Sequence, residues 1–131
     1  VLDVKRTGIS DVAIASVELF FKYLGVNKSF HYSSKEFRET IGLEKSERLI
    51  KITKSLDSNN YINAMGGIGL YKKDFFRSRG VNLRFVKPSL MSYEHCIGTA
   101  SKFYPGLSII DLMMSLSVDD IRIHLDNFEL V

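Results

Sequence analysis

Three glycines fall within four residues at Gly66-Gly67-Ile68-Gly69, between a strand-like run, Tyr61-Ile62-Asn63-Ala64, and a helix-prone segment. Backbone N–H groups at such a junction can approach a phosphate that a side chain would hold off. Lys72 and Lys73 add positive charge just beyond the loop. The spacing fits neither a P-loop nor a dinucleotide fingerprint, and the plainer reading of the same glycines is a tight turn needing positive φ. Asn63 closes the strand before the loop. Ligands of open parallel sheets bind beyond the carboxyl ends of strands, and an amide there offers donors and an acceptor to a sugar hydroxyl or a base edge. The alternative for Asn63 is a local cap of the following loop. Tyr71 can stack on a ligand and bond it through its hydroxyl, or pack in the core with that hydroxyl satisfied.

A second set lies near the other end of the chain. Ser108 and Asp111 are three residues apart and share a helix face. They read either as an N-cap with its first-turn partner or as site residues, with Asp111 a base or a binder of a hydroxyl or amine. Tyr104 is open to the same two readings as Tyr71. His95, in the polar run Tyr93-Glu94-His95, is the natural acid or base near neutral pH; its other reading is a surface histidine. Ser108, His95 and Asp111 have the residue types of a nucleophilic triad, but Ser108 lacks the strand-turn-helix setting of a nucleophile elbow. His31, His95 and His124 have no metal-ligand spacing and Cys96 has no partner cysteine, so no metal site is assigned. The sequence names no cofactor.

The elements that must carry these residues alternate along the chain. Ser10 and Asp11 open a helix whose apolar face is Ala13, Val17, Phe20, Phe21 and Leu24, and Gly25 stops it. Ser29 to Tyr32 reads as a strand. Ser33 and Glu36 suggest a capping box for a short helix ending at Gly42. A longer helix runs from about Lys45 to Leu56, with Leu49, Ile52, Thr53 and Leu56 inward and Ile50 flanking. Tyr61 to Ala64 is a strand, Leu70 to Ser78 a helix closed by Gly80, and Val81 to Val86 a strand ended by Pro88. Leu107 to Leu116 is apolar enough for a buried helix. Ser117 caps a last helix, and Phe128, Leu130 and Val131 form a tail that packs back. Strands joined through helices favour parallel pairing. The expected fold is therefore α/β, a small mainly parallel sheet flanked by helices with a helical carboxy-terminal segment. Residues 1–131 are expected to form a single domain.

With 45% hydrophobic residues the chain can bury a core, and with that many aromatics it is not a disordered segment. A net charge of +3, spread along the chain, favours anionic ligands without naming one. No nucleic-acid motif is present. A lone cysteine fits a reducing cytoplasm. No apolar run approaches the roughly 20 residues of a membrane span, and no signal-peptide pattern opens the chain. The start on Val1 rather than Met is read as that of a fragment, with part of the site carried elsewhere.

Two blocks resemble the WbqC-like protein family. The first is Asn60-Tyr61-Ile62-Asn63-Ala64-Met65-Gly66-Gly67-Ile68-Gly69-Leu70-Tyr71, followed by Phe75, Phe76 and Gly80 and then Asn82-Leu83-Arg84-Phe85. The second is Tyr104-Pro105-Gly106-Leu107-Ser108-Ile109-Ile110-Asp111-Leu112. The chain looks like the carboxy-terminal half of such a protein, since the Gln-Pro-rich aromatic opening of full-length relatives has no counterpart. Relatives also carry Gln two residues after the tyrosine matching Tyr93, where this chain has His95. The resemblance implies bacterial surface-polysaccharide (O-antigen) biosynthesis and an activity on an activated sugar or an attached acyl group. The expectation drawn from it is a transferase with a nucleotide-linked or lipid-linked sugar as partner. Asn63, Gly66, Gly67 and Tyr71 would form one wall of its pocket, Tyr104, Ser108 and Asp111 the other, and His95 would be the acid or base. The other reading is a non-catalytic ligand-binding or interaction module of a glycan-biosynthesis complex. A homo-oligomer is compatible with both.

Overall fold

A computed structural model describes residues 8–93 and 103–131. In chain order its elements are α1 (Ile9–Tyr23), α2 (Ser33–Glu36), a 3-10 turn (Arg38–Thr40), α3 (Lys45–Ser55), β1 (Asn60–Ala64), a second 3-10 turn (Met65–Gly67), α4 (Lys73–Ser78), β2 (Asn82–Pro88), α5 (Ile109–Ser115), α6 (Val118–Asp126) and β3 (Phe128–Leu130). The described residues form two compact units. One takes the chain up to His31 and from Ser92 to His124; the other takes Tyr32 to Met91 and Leu125 to Val131.

The second unit holds the sheet. Its strand order is β1-β2-β3. β1 and β2 pair in parallel, from Asn60 opposite Asn82 to Ala64 opposite Val86. β3 adds to β2 antiparallel, with Val86 opposite Leu130 and Pro88 opposite Phe128. Val131 and Phe85 continue that ladder by exchanging both N–H···O bonds, at 2.8 and 3.0 Å. The sheet is thus α/β but mixed, not mainly parallel. Ser29 to Tyr32 forms no strand; the Phe30 ring instead meets the edge of Phe21 at 5.6 Å. The third strand is the segment expected to be a tail.

Alternation in β1 and β2 turns Tyr61, Asn63, Leu83 and Phe85 to one face. There Ile50, Phe76, Val81, Leu83 and Phe85 make the core, with Tyr61, Tyr71 and Val131 packed against it. Phe76 is its centre. Tyr61 stacks on that ring at 5.9 Å and Tyr71 meets it edge-on at 6.1 Å. α3 buries Ile50 and Thr53, whereas Leu56 lies 42% exposed, so the inward stripe is turned from the one expected. Glu44 caps α3 by accepting from the amides of Ser46 and Glu47. Thr40, fully buried, donates to the Phe37 carbonyl at 2.6 Å and accepts from Arg48 at 3.2 Å, tying the 3-10 turn to α3.

In the first unit α1 begins at Ile9, with Gly8 as its cap residue, and buries Ala15 rather than Ala13 or Val17. Arg122 of α6 donates to the carbonyl of Leu24 and pairs with Asp119 at 2.9 Å. Ser117 caps α6, accepting from the Asp120 amide at 3.2 Å and donating to its carboxylate at 2.6 Å. The buried helix expected at 107–116 is instead α5, which has no fully buried residue; Ile110 and Met114 are each 62% exposed.

Candidate functional site

The glycine loop follows directly from β1. After Ala64 the chain makes the 3-10 turn Met65–Gly67, and Leu70 and Tyr71 both donate to the Gly67 carbonyl. α4 starts only at Lys73, so the expected helix from Leu70 is three residues shorter and does not abut the loop. Gly66, Gly67 and Gly69 are absent from the described positive-φ glycines, which are Gly25, Gly42, Gly80 and Gly106. A turn demanding positive φ is therefore not what the loop glycines provide.

Their roles divide on steric grounds. A Cβ on Gly67 would lie 2.9 Å from Nδ2 of Asn63, 3.2 Å from its Cγ and 3.4 Å from Cδ2 of Tyr71. A Cβ on Gly66 or Gly69 would meet nothing within 4 Å. Gly67 is thus the floor on which Asn63 and Tyr71 converge, while Gly66 and Gly69 present bare backbone to the outside. Asn63 turns Oδ1 back to its neighbour, accepting from the Ala64 amide at 2.7 Å, and its NH2 faces the loop. Lys73 joins the same end of the sheet, because its ammonium lies 5.9 Å from the ring of Phe85, the strand partner of Asn63. Burial, and secondarily the charge of Tyr71, raise the Tyr61 hydroxyl above its ordinary pKa. Both phenol rings pack against Phe76 at the edge of the core.

The remaining expected residues lie in the other unit. Ser108 is the N-cap of α5, its hydroxyl accepting from the Ile110 amide at 3.3 Å. Asp111 stands in the first turn of that helix and accepts a hydrogen bond from the Tyr93 hydroxyl. The Tyr93 ring is met edge-on by Phe103 at 5.3 Å and by His124 at 5.5 Å. Burial, that hydrogen bond and the nearby carboxylate charge together push the Tyr93 hydroxyl up to about 12. Tyr104 is 54% exposed. His95 and Cys96 fall outside the described residues.

The structure therefore brings Asn63, Gly67 and Tyr71 together, with Gly66 beside them, and separately groups Asp111 with two residues not assigned from sequence, Tyr93 and His124. Eighteen residues separate Tyr93 from Asp111, a distance no helix or strand period encodes. His124 reads as exposed on its helix until Tyr93 is placed against it. Among the described residues no three His, Cys, Asp or Glu side chains gather as metal ligands, and no helix is long and apolar enough to cross a membrane.

Comparison with known proteins gives one match, to the model of the WbqC-like protein family, over residues 1–123. The match reaches well beyond the two blocks at 60–112 that carry the resemblance. No curated protein and no solved structure matches the chain.

Proposed function

This chain belongs to the WbqC-like protein family, and on that premise we propose that it acts in the cytoplasmic part of bacterial surface-polysaccharide (O-antigen) biosynthesis, as a transferase that holds an activated sugar. The anionic group of a nucleotide-linked or lipid-linked sugar lies against the loop Gly66 to Gly69. The NH2 of Asn63 and the ring of Tyr71 take its polar and flat parts. The acid-base roles stay with Asp111 and His95, and further ligand contacts with Tyr104 and Ser108, as candidates separate from the loop.

One observation carries the loop assignment. Gly66 and Gly69 are glycine without a positive φ and without a neighbour that a methyl group would strike. Neither folding demand explains them, whereas bare backbone beside a ligand does. The electrostatic support comes from Lys73 and Lys72 rather than from a helix end.

A second reading, a non-catalytic ligand-binding or interaction module, draws on a different observation. The described polar groups of α5 are already engaged, Ser108 as a cap and Asp111 by Tyr93. The same experiment separates the two. Nucleotide sugars, free nucleotides and acyl donors are screened by thermal shift, where a binder at 100 times its dissociation constant adds about 2.7 kcal/mol. The expected outcome is stabilisation by one class, lost in Gly66→Val and Asn63→Ala, followed by turnover of that ligand. Binding without turnover selects the module. No stabilisation by any class overturns the loop assignment.

A further inference from the structure

A groove of about 590 Å³ opens along the outer side of α3 in the second unit, away from the glycine loop in sequence and in register. Leu43 and Ile50 give it an apolar side, and its charged lining consists of Lys51, Lys54, Arg79 and Glu47. Arg79 is held in place: its guanidinium pairs with Glu47 at 2.8 Å and lies 4.6 Å from the Phe75 ring centroid. Glu47 is thereby neutralised by Arg79. Lys51 and Lys54, one helical step apart on the same face, make no ion pair among the described residues. The groove thus keeps two uncompensated ammonium groups facing an oriented guanidinium, over an apolar strip.

We propose that this groove is a binding site for a diphosphate-bearing ligand. Two ammonium groups spaced by one helical step suit two phosphoryl centres, beside a guanidinium that is itself bonded to Glu47 and Ser78. The volume falls within the range of small-ligand pockets. Leu43 and Ile50 receive the less polar body to which the diphosphate is attached. The site is independent of the glycine loop, since Asn60 and Asn82, which begin β1 and β2, follow its helices, whereas Gly66 follows the far end of β1.

The test uses the whole chain in two arms. In solution, inorganic pyrophosphate is titrated while backbone amide signals are followed by NMR. In the second arm, co-sedimentation is measured with phosphatidylcholine vesicles with and without diacylglycerol diphosphate. The expected result is saturable shifts confined to Lys51, Lys54 and Arg79 and their neighbours. Affinity should fall tenfold or more in Lys51→Gln/Lys54→Gln, since each lost contact is a charge-assisted bond. Both lysines are exposed, so that variant folds, and Lys87→Gln, on β2, should leave binding unchanged. A response in the solution arm identifies a free ligand; a response only with diacylglycerol diphosphate identifies a lipid headgroup. No saturable response in either arm, or shifts spread over all exposed lysines and equally lost in Lys87→Gln, overturns the proposal. Gly66→Val leaves this site intact, so its failure and that of the loop assignment are read separately.

Discussion

At the scale of single residues, Gly67 and Gly66 stand side by side and answer to different constraints. The buried Gly67 leaves no room for a methyl group beside Asn63, and Gly66 is open. Gly67→Ala should therefore destabilise by about 1–3 kcal/mol, the usual penalty for overpacking, and Asn63→Ala should relieve much of it in the double variant. Gly66→Ala should be close to neutral. Denaturant unfolding of the four chains measures this, and equal losses at both glycines would contradict the steric account. Tyr93 gives a second residue-scale prediction. Its hydroxyl is pushed up to about 12 partly by Asp111, so Asp111→Asn should bring it down toward the ordinary tyrosine value. Tyrosinate absorbance during a pH titration reports the change. Because the folded value lies above the unfolded one, the contribution of Tyr93 to stability is complete below about pH 10 and is lost as the pH rises toward 12.

At the scale of elements, three helices end in the same way. Gly25 after α1 and Gly80 after α4 take φ of +66° and +75°, and the residue after each donates back to the helix, Val26 to Phe21 and Val81 to Phe76. Behind α3 the same pair of bonds recurs, Asp57 to Lys54 and Ser58 to Thr53. There the left-handed position is filled by Asp57, at φ 51°, the one non-glycine among the described residues with positive φ. Left-handed backbone costs a residue with a Cβ about 1–2 kcal/mol, and glycine gives part of that back in unfolded-chain entropy. Asp57→Gly should thus stabilise by about 0.5–1 kcal/mol, while Gly80→Ala should destabilise by about 1–2 kcal/mol. Opposite signs in thermal melts are the signature. Gly25 and Gly80 are legible in sequence because glycine marks this cap. Asp57 reads only as part of a polar turn, because its residue type does not announce the left-handed conformation.

At the scale of the whole molecule, the sheet depends on its shortest strand. β3 covers one edge of β2, and the Phe85 amide donates to the Val131 carbonyl at 2.8 Å. A chain truncated before Phe128 loses that partner and uncovers a core to which Val131 contributes. Hydrogen exchange at Phe85 should then quicken well beyond that at Arg84, whose amide points to the β1 side as that of Asn82 does in donating to Asn59. Unchanged exchange at Phe85 would show that β3 contributes nothing to the second unit.

What the sequence by itself determined is local or periodic. The existence of α1, α3, α4 and α6, the two glycine stops, the Ser108 and Ser117 caps, and the alternation that aims Tyr61, Asn63, Leu83 and Phe85 to one face all depend on neighbours a few residues away. The blocks at 60–71 and 104–112 likewise carried the family. What only the tertiary structure decided rests on contacts between distant segments. A three-residue strand has no period to detect, so Phe128–Leu130 became visible only against Val86–Pro88, while aromatic Ser29–Tyr32, more strand-like in composition, used Phe30 for packing. The turn of α3 that buries Ile50, the seat of Asn63 on Gly67, and the bond from Tyr93 to Asp111 follow the same logic. Each is set by which surface meets which, and residue types alone leave several such meetings equal in energy.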